Sequence, residues 1–485
     1  MAYRDLHDFV QALRAKGELR EIDVEVDPLL EVSEVYNRVV KRDGPALLFN
    51  EVKGHDIPVL INAFGTRRRM ELALETESLD AIGEEIALLL KPEIPTSLIE
   101  KLKALPKLKR LSELPPRVVS SGVCQEVVEI SGASVAPLPL IQCWPGDGGG
   151  VGKGRYITLS LTFTKHPEHG ARNAGLYRIQ KFDDQTLGMH WQQHKGGAQH
   201  YRVAEERGER LEVAVAIGCD PATIYAASAP LPDEVDEMLL AGFLRGEPVE
   251  LVKCRTVSLE VPANAEIVLE GYCEPGERRL EGPFGDHQGY YSHAEEFPVF
   301  HLTAVTRRKN PIYITTVVGP PPQEDAWLGK ATERMFLPLI KTTVPEIVDI
   351  NLPIEGIFHN FAIVSIDKRY PGHARKVMHA VWGLGQLMFT KVVVIVDKGV
   401  NVQDLSEVMW KVGTHFDPKH DVVLSEGVCD DLDFAAYTPG LSGKLGIDAT
   451  RKLPEEGFHR RWPDECLMSP EIKARVDAIW EELGL

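Results

Sequence analysis

The sequence lacks any CxxC pair. Its seven cysteines, Cys124, Cys143, Cys219, Cys254, Cys273, Cys429 and Cys466, stand singly. That spacing excludes a disulfide framework or a zinc ribbon and fits a reduced cytoplasm. Long apolar runs are also missing: the longest β-branched stretch, residues 392–396, falls far short of the ~20 residues of a membrane span. The opening Met1-Ala2-Tyr3-Arg4-Asp5 has no apolar h-region, so no signal peptide is expected. Basic residues are in deficit, with 54 Lys+Arg against 72 Asp+Glu and a net charge of −18. This argues against nucleic acid as a main ligand, since phosphate backbones require clustered Lys and Arg.

Neither nucleotide fingerprint is complete. Within the glycine-rich stretch 146–154, counting back from Gly152-Lys153 puts Asp147 where a phosphate loop needs glycine, and Gly154 replaces the magnesium-binding Ser/Thr. A flexible loop is expected instead. Three residues beyond Gly385 stands Met388, so the dinucleotide motif is absent too. No internal repeat or low-complexity tract is present.

What remains is an ordinary globular composition, 485 residues with 44 % hydrophobic and 26 % charged, enough for roughly three domains. Leu6, Phe9, Val10 and Leu13 fall at helical spacing, and mixed helix and short-strand signals follow to Leu114. From Ile157 the period changes: Ile157, Leu159, Leu161 and Phe163 alternate with polar residues, as do Leu211, Val213, Val215 and Ile217. Further strands are expected at 266–272 and 302–305. Period-2 patterning without crossover helices predicts a mainly antiparallel β domain over about 117–310. After Pro320-Pro321-Pro322 the pattern becomes strand (361–366), helix (373–388), strand (391–397), helix (403–412), strand (421–424), the rhythm of a βαβ layer. Ser469 then caps a final helix whose Ile472, Val476, Ile479, Trp480 and Leu483 form one stripe.

Several segments carry chemistry. Arg172-Asn173-Ala174-Gly175-Leu176-Tyr177-Arg178 packs two guanidiniums and an amide into seven residues. His190 and His194, in His190-Trp191-Gln192-Gln193-His194-Lys195-Gly196-Gly197, are i, i+4, but the glycines favour a loop and surface histidines. Glu281 and Asp286 flank a Gly282-Pro283-Phe284-Gly285 turn, an arrangement suited to acid–base work or, equally, to a turn whose Asp caps backbone amides. Glu237 reads as dipole compensation in a helix's first turn, and Lys444 as a lone loop lysine.

Taken in order, these segments resemble the UbiD family of prenylated-flavin-dependent decarboxylases, nearest its polyprenyl-4-hydroxybenzoate carboxy-lyase branch. The resemblance covers nearly the whole chain, from Asp5-Leu6-His7-Asp8-Phe9 through Gly44-Pro45-Ala46-Leu47-Leu48-Phe49 and Cys143-Trp144-Pro145 to Asp448-Ala449-Thr450. It is strongest at Asn173 to Arg178, His194-Lys195-Gly196-Gly197 and Glu281 to Asp286. It implies a mixed α/β (α+β) fold: a small N-terminal α/β unit (1–116), a central split β-barrel binding flavin (117–319), a C-terminal α/β domain (320–464) and an oligomerisation helix (465–485).

By the same resemblance, Asn173, His194 and Glu237 ligate Mn2+ or another divalent metal that bridges to the flavin phosphate, an oxygen- and nitrogen-rich set without zinc-selecting thiolates. Leu176, Tyr177, Arg178, His190, Trp191, Gln192, Lys195, Gly196 and Lys444 would cradle prenylated FMN, with K+ near Ser228. Arg178, Glu281 and Asp286 match the catalytic residues: Arg178 would grip the substrate carboxylate bidentately, Asp286 would protonate the ring carbon with a raised pKa, and Glu281 would assist. The implied activity is non-oxidative decarboxylation of a 4-hydroxy-3-polyprenylbenzoate in quinone synthesis. The same chemistry on a naphthoate menaquinone precursor or a small phenolic acid is the near alternative. An ordinary FMN redox protein and a non-catalytic relative are more distant ones. Implied partners are a UbiX-type flavin prenyltransferase as cofactor supplier and further copies in a dimer or hexamer. The implied location is cytoplasmic, at most peripheral to the inner face of the membrane. Residues 171–202 hold Arg172, Arg178, Lys181, Lys195 and Arg202 against Asp183 and Asp184, a local surplus of 5 − 2 = +3 inside an acidic chain.

Overall fold

The computed structural model describes residues 2–90, 114–232 and 235–484; the helix and strand signals expected at 91–113 lie outside the described residues. Helix Leu6–Ala15 forms where the apolar spacing predicts it. It buries Leu6, Phe9, Val10 and Leu13, and Asp5 caps it by accepting from the amide of Asp8. Beside it runs a four-stranded sheet ordered Leu19–Ile22, Ala46–Phe49, Val59–Ile61, Tyr313–Ile314. The last strand arrives from far along the chain, pairing in parallel with Val59–Ile61. Glu266 deepens this connection. It is fully buried and its carboxylate meets Arg308 Nη1 at 2.9 Å, the Ile312 amide at 2.9 Å and His7 Nε2 at 3.1 Å. Accordingly one continuous apolar core runs from Leu6 to Met335.

The period-2 segments form a nine-stranded antiparallel sheet. Its spine is the long hairpin Ile267–Glu281 with Glu295–Arg307, whose register shifts after Glu270 and after Cys273; such bulges bend a strand and let a sheet curl. The open edges are Tyr156–Ile157 and Arg172–Leu176. The expected single strand through Ile157 and Phe163 is two, Tyr156–Ile157 and Ser160–Lys165.

A 19-residue helix, Asp325–Thr343, leads to the C-terminal five-stranded sheet ordered Ile347–Asn351, Phe361–Ile366, Val392–Asp397, Leu441–Ala449, Val422–Val428. Its three central strands are parallel. Val364 and Ile395 face one apolar cluster with helix His373–Trp382, and Val394 and Val396 face another. Two readings change here. The helix from His373 stops at Trp382, capped by Gly383. Lys444 lies on a strand, not in a loop, paired opposite Ser425; Gly446 in the same strand admits a helix neighbour, since a Cβ on it would stand 2.4 Å from Met378 Sδ. All seven cysteines are free. Among the described residues no helix is long and apolar enough to cross a membrane.

Candidate active site

The acid-bearing turn is fixed by close backbone approach. A Cβ on Gly282 would lie 2.5 Å from Gly148 Cα, and one on Gly285 would lie 2.2 Å from the Trp144 ring. The glycine-rich loop 146–154 is therefore a packed clamp behind the turn, not the free loop expected. Gly148, at φ 64°, donates its amide to the Pro283 carbonyl at 2.7 Å. Asp147 is buried and accepts from the amides of Cys143, Trp144 and Gly285 at 3.0, 2.8 and 2.8 Å. Burial pushes its carboxyl up to about 6, with those amides opposing.

Arg178, just beyond strand Arg172–Leu176, reaches into this turn. Its Nε and Nη2 donate to Glu281 at 3.1 and 3.0 Å, Nη2 also donates to Ser292 Oγ at 3.1 Å, and Nη1 pairs with Asp286. The Phe284 ring lies 4.7 Å beneath the guanidinium. Glu281 is 0 % exposed; removing a carboxylate from water costs several kcal/mol, offset here by the Arg178 fork and by His190 Nδ1 at 2.7 Å. Burial raises the Glu281 carboxyl, but Arg178 and His190 outweigh it and hold it below its usual range.

Two expectations are corrected. The fork of Arg178 already grips Glu281, so its bidentate face is not open to a substrate carboxylate. The Asp286 carboxyl is lowered, not raised: burial pushes it up, but the His287 ring and the Arg178 guanidinium together pull it well below the carboxylate range. The His287 and Arg178 contacts outweigh the desolvation of the carboxylate.

Arg178, His190, Trp191 and Gln192 line a cavity of about 470 Å3, together with Ser292, His293, Phe297, Leu432 and Phe434. Trp191 Nε1 is buried without a partner among the described residues. Asn173, Tyr177 and Gly196 meet beside it. The Tyr177 hydroxyl lies 3.4 Å from Asn173 Nδ2 and accepts from the Gly197 amide at 3.2 Å, and a Cβ on Gly196 would strike Asn173 Oδ1 at 2.2 Å. The expected loop at the glycines is in fact the start of helix Gly196–Glu206. Leu176 donates its amide to the Ala227 carbonyl, and Ser228 Oγ donates to the Tyr225 carbonyl at 2.7 Å.

Of the three expected metal ligands, Glu237 lies against the backbone beside Asn173. Glu237 opens helix Glu237–Arg245 and accepts from the amide of Ala174, next to Asn173, at 2.9 Å. Burial and the neighbouring Asp236 raise its carboxyl to about 7, with the Ala174 amide and Arg172 opposing. His194 is exposed, its ring 6.2 Å from Phe389, and no hydrogen bond joins it to either among the described residues. An amide oxygen and an under-compensated carboxylate fit a hard divalent cation, and the unpartnered Trp191 donor fits a polar cofactor edge. Burial lowers Lys195. Lys444 is buried, its ammonium donating to the carbonyls of Met388, Thr390 and Val428 at 2.7, 3.0 and 2.6 Å.

Sequence reasoning missed Ser292, His287 and His359. His287 stands beside Asp286, yet nothing in the sequence marks His359, 72 residues on, as its neighbour. Only the fold joins them.

Residues 10–87, 117–321 and 326–449 match family models described as the N-terminal, Rift-related and C-terminal domains of 3-octaprenyl-4-hydroxybenzoate carboxy-lyase (UbiD). An uncharacterized protein of Archaeoglobus fulgidus is 55 % identical, covering 100 % of this chain and 99 % of its own. Among solved structures, the UbiD-class enzyme HmfF from Pelotomaculum thermopropionicum in complex with FMN is 31 % identical with a TM-score of 0.80, over 97 % of this chain and 98 % of that one. The vanillic acid decarboxylase of Sedimentibacter hydroxybenzoicus in closed form is 28 % identical with a TM-score of 0.85, over 100 % and 99 %.

Proposed function

Because the chain belongs to the UbiD family of carboxy-lyases, we propose that it decarboxylates a 4-hydroxybenzoate-type aromatic acid non-oxidatively with prenylated FMN. The observation that carries this is the buried cluster of Arg178 with Glu281 and Asp286, in which Arg178 also lines the cavity. Losing CO2 from an sp2 ring carbon leaves an aryl carbanion without delocalisation, and no side chain offers an electron sink; a modified flavin, when bound, supplies it. The protein's own residues do the rest. Arg178 and Glu281 hold the charge pattern of the pocket, Asp286 delivers the proton to the ring carbon, and the clamp formed by 146–154 keeps that turn rigid. Asn173, Glu237 and His194 would hold Mn2+ or another divalent ion, His194 by a turn of its exposed loop, and Ser228 stands at the K+ position. Leu176, Tyr177, His190 to Gln192, Lys195 and Gly196 would surround the flavin, and Lys444 would act from the adjoining C-terminal domain.

The substrate in this reading is a 4-hydroxy-3-polyprenylbenzoate of quinone synthesis. A small phenolic acid or a naphthoate is the second reading, and two observations favour it. Arg202, Arg278, Glu295 and Glu296 share the cavity lining, which suits a compact polar acid better than an isoprenoid tail. The similar Sedimentibacter enzyme is a vanillic acid decarboxylase. Domain limits at 116, 319 and 464, a cytoplasmic location and a UbiX-type supplier belong to the same proposal. Self-association fits as well: helix Pro470–Ile479 buries no residue, and Ile472, Ile479 and Trp480 stay exposed, though so short a helix is marginal alone in water.

The test is expression with and without a flavin prenyltransferase, followed by visible spectra and CO2 release from prenylated hydroxybenzoate, naphthoate and vanillate. CO2 release only from prenyltransferase-matured protein is expected, and equal activity without the prenyltransferase would sink the proposal.

A further inference from the structure

Decarboxylation of a carboxylate consumes a proton. ArCOO− and H+ give ArH and CO2, the C–C bond breaking and a C–H bond forming at one ring carbon. If Asp286 delivers that proton, it must be recharged every turnover, yet it is 8 % exposed and enclosed by Arg178 and His287. The ring of His287 is aimed at this task. Its Nδ1 lies 2.7 Å from Asp286 Oδ1, which also accepts the His287 amide at 2.7 Å, so the contact is fixed through both ring and backbone. On its other side His287 Nε2 lies 2.9 Å from Nε2 of His359. Two facing Nε2 atoms make a hydrogen bond only when one carries a proton and the other does not.

His359 comes from the C-terminal domain. It is delivered by a turn in which Ile357 and Phe358 adopt φ 56° and 40°, left-handed conformations that are strained for non-glycine residues and persist only where surroundings enforce them. We propose, on the decarboxylase reading above, that His287 stores the proton that recharges Asp286 and that His359 is the positioning residue that holds its ring.

In this step the His287 Nδ1–H bond breaks and an O–H bond forms on Asp286. The imidazolium becomes neutral His287, whose Nε2–H donates to His359 Nε2. Asp286 then passes the proton to the ring carbon, and one solvent proton restores the imidazolium. The surroundings keep the stored proton on His287 and keep His359 neutral. Burial opposes the charge on His287, but Asp286, Asp430 and Asp325 raise its pKa. Burial, the His287 charge and Lys195 and Lys444 push His359 down to about 3, with only Asp286 opposing, so His359 remains a neutral acceptor. A substrate carboxylate arriving near Asp286 adds a like charge, which favours transfer onto Asp286.

The test uses holoenzyme carrying His287→Gln, His359→Gln or His359→Leu, with cofactor retention checked by visible spectrum. His287→Gln is expected to lower kcat by about 10- to 100-fold with KM changed less than about twofold, to alter the kcat–pH profile, and to recover partly with added imidazole. His359→Leu should lose more than His359→Gln, which keeps an acceptor. In the cofactor-free protein, 15N NMR should show the His287 ring protonated above its usual range, and Asp286→Asn should abolish that shift. Active wild type with wild-type kcat and pH profile in His287→Gln, or an ordinary titration of the His287 ring, would overturn the relay alone. Absence of decarboxylation in loaded wild type would instead overturn the activity on which it rests. The NMR measurement decides the matter even where a substituted chain fails to fold.

Discussion

Four of the five N–H donors of Arg178 are engaged, two by Glu281 and one each by Asp286 and Ser292. A lysine keeps the charge but offers a single ammonium, which cannot grip Glu281 as a fork while reaching Asp286 and Ser292. Arg178→Lys should therefore retain the fold and lose geometry. The expected result is a kcat/KM drop of about 100-fold, the size that follows a misplacement near 1 Å, with the visible spectrum of bound cofactor preserved. Steady-state kinetics on the matured enzyme check it, and a wild-type kcat/KM would refute the fork's role. That Arg178, Glu281 and Asp286 belong to one cluster was legible from the family resemblance of their segments. Their protonation was not, because it depends on His287 and His190, whose approach is set by the fold and not by sequence spacing.

Helices and strands with strong periodicity were legible, as at Leu6–Ala15 and Leu211–Ile217. Where glycine serves close approach the signal failed. Gly446 in strand Leu441–Ala449, Gly196 at a helix start and the glycines of 146–154 all resemble loop residues until their neighbours are known. The clamp formed by 146–154 gives a test at this scale. Asp147 has its carboxyl raised from 3.8 to about 6, so the folded chain binds that proton more tightly than the unfolded chain. The resulting stability is present below pH 3.8 and is lost as pH rises through about 6. Asp147→Asn cannot titrate, and its NH2 group must face one of three amides, costing roughly 1–3 kcal/mol. Urea midpoints from pH 4 to 7 should show that deficit narrowing as pH rises, by at most ~3 kcal/mol; a gap independent of pH would contradict the raised carboxyl.

At the scale of the whole molecule, the N-terminal unit and the curled sheet share one core, whereas the C-terminal sheet has its own two clusters. The relay between His287 and His359 spans the two bodies, so their alignment bears on the chemistry as well as on stability. Helix Asp325–Thr343 ties them, and Arg334 is its bridge. One Nη donates to Asp80 Oδ1 at 3.2 Å on the N-terminal side, the other to Asp349 Oδ1 at 2.7 Å and to the Ile350 carbonyl in the C-terminal sheet. The Arg334 side chain is 10 % exposed, but Asp80 and Asp349 are 48 % and 31 % exposed, so water screens both pairs and each contributes about 0.2–1 kcal/mol, with the Ile350 carbonyl left short of a donor at about 1–3 kcal/mol. Arg334→Met keeps much of the apolar stem and deletes the charge. Because the two bodies have separate cores, the loss should appear as uncoupling: calorimetry of the variant should resolve two transitions where wild type shows closer cooperation, and His359 should lose its hold on His287, lowering kcat without loss of bound cofactor. A single cooperative transition at the wild-type temperature, with unchanged kcat, would mean that the bodies are aligned by other contacts along Asp325–Thr343.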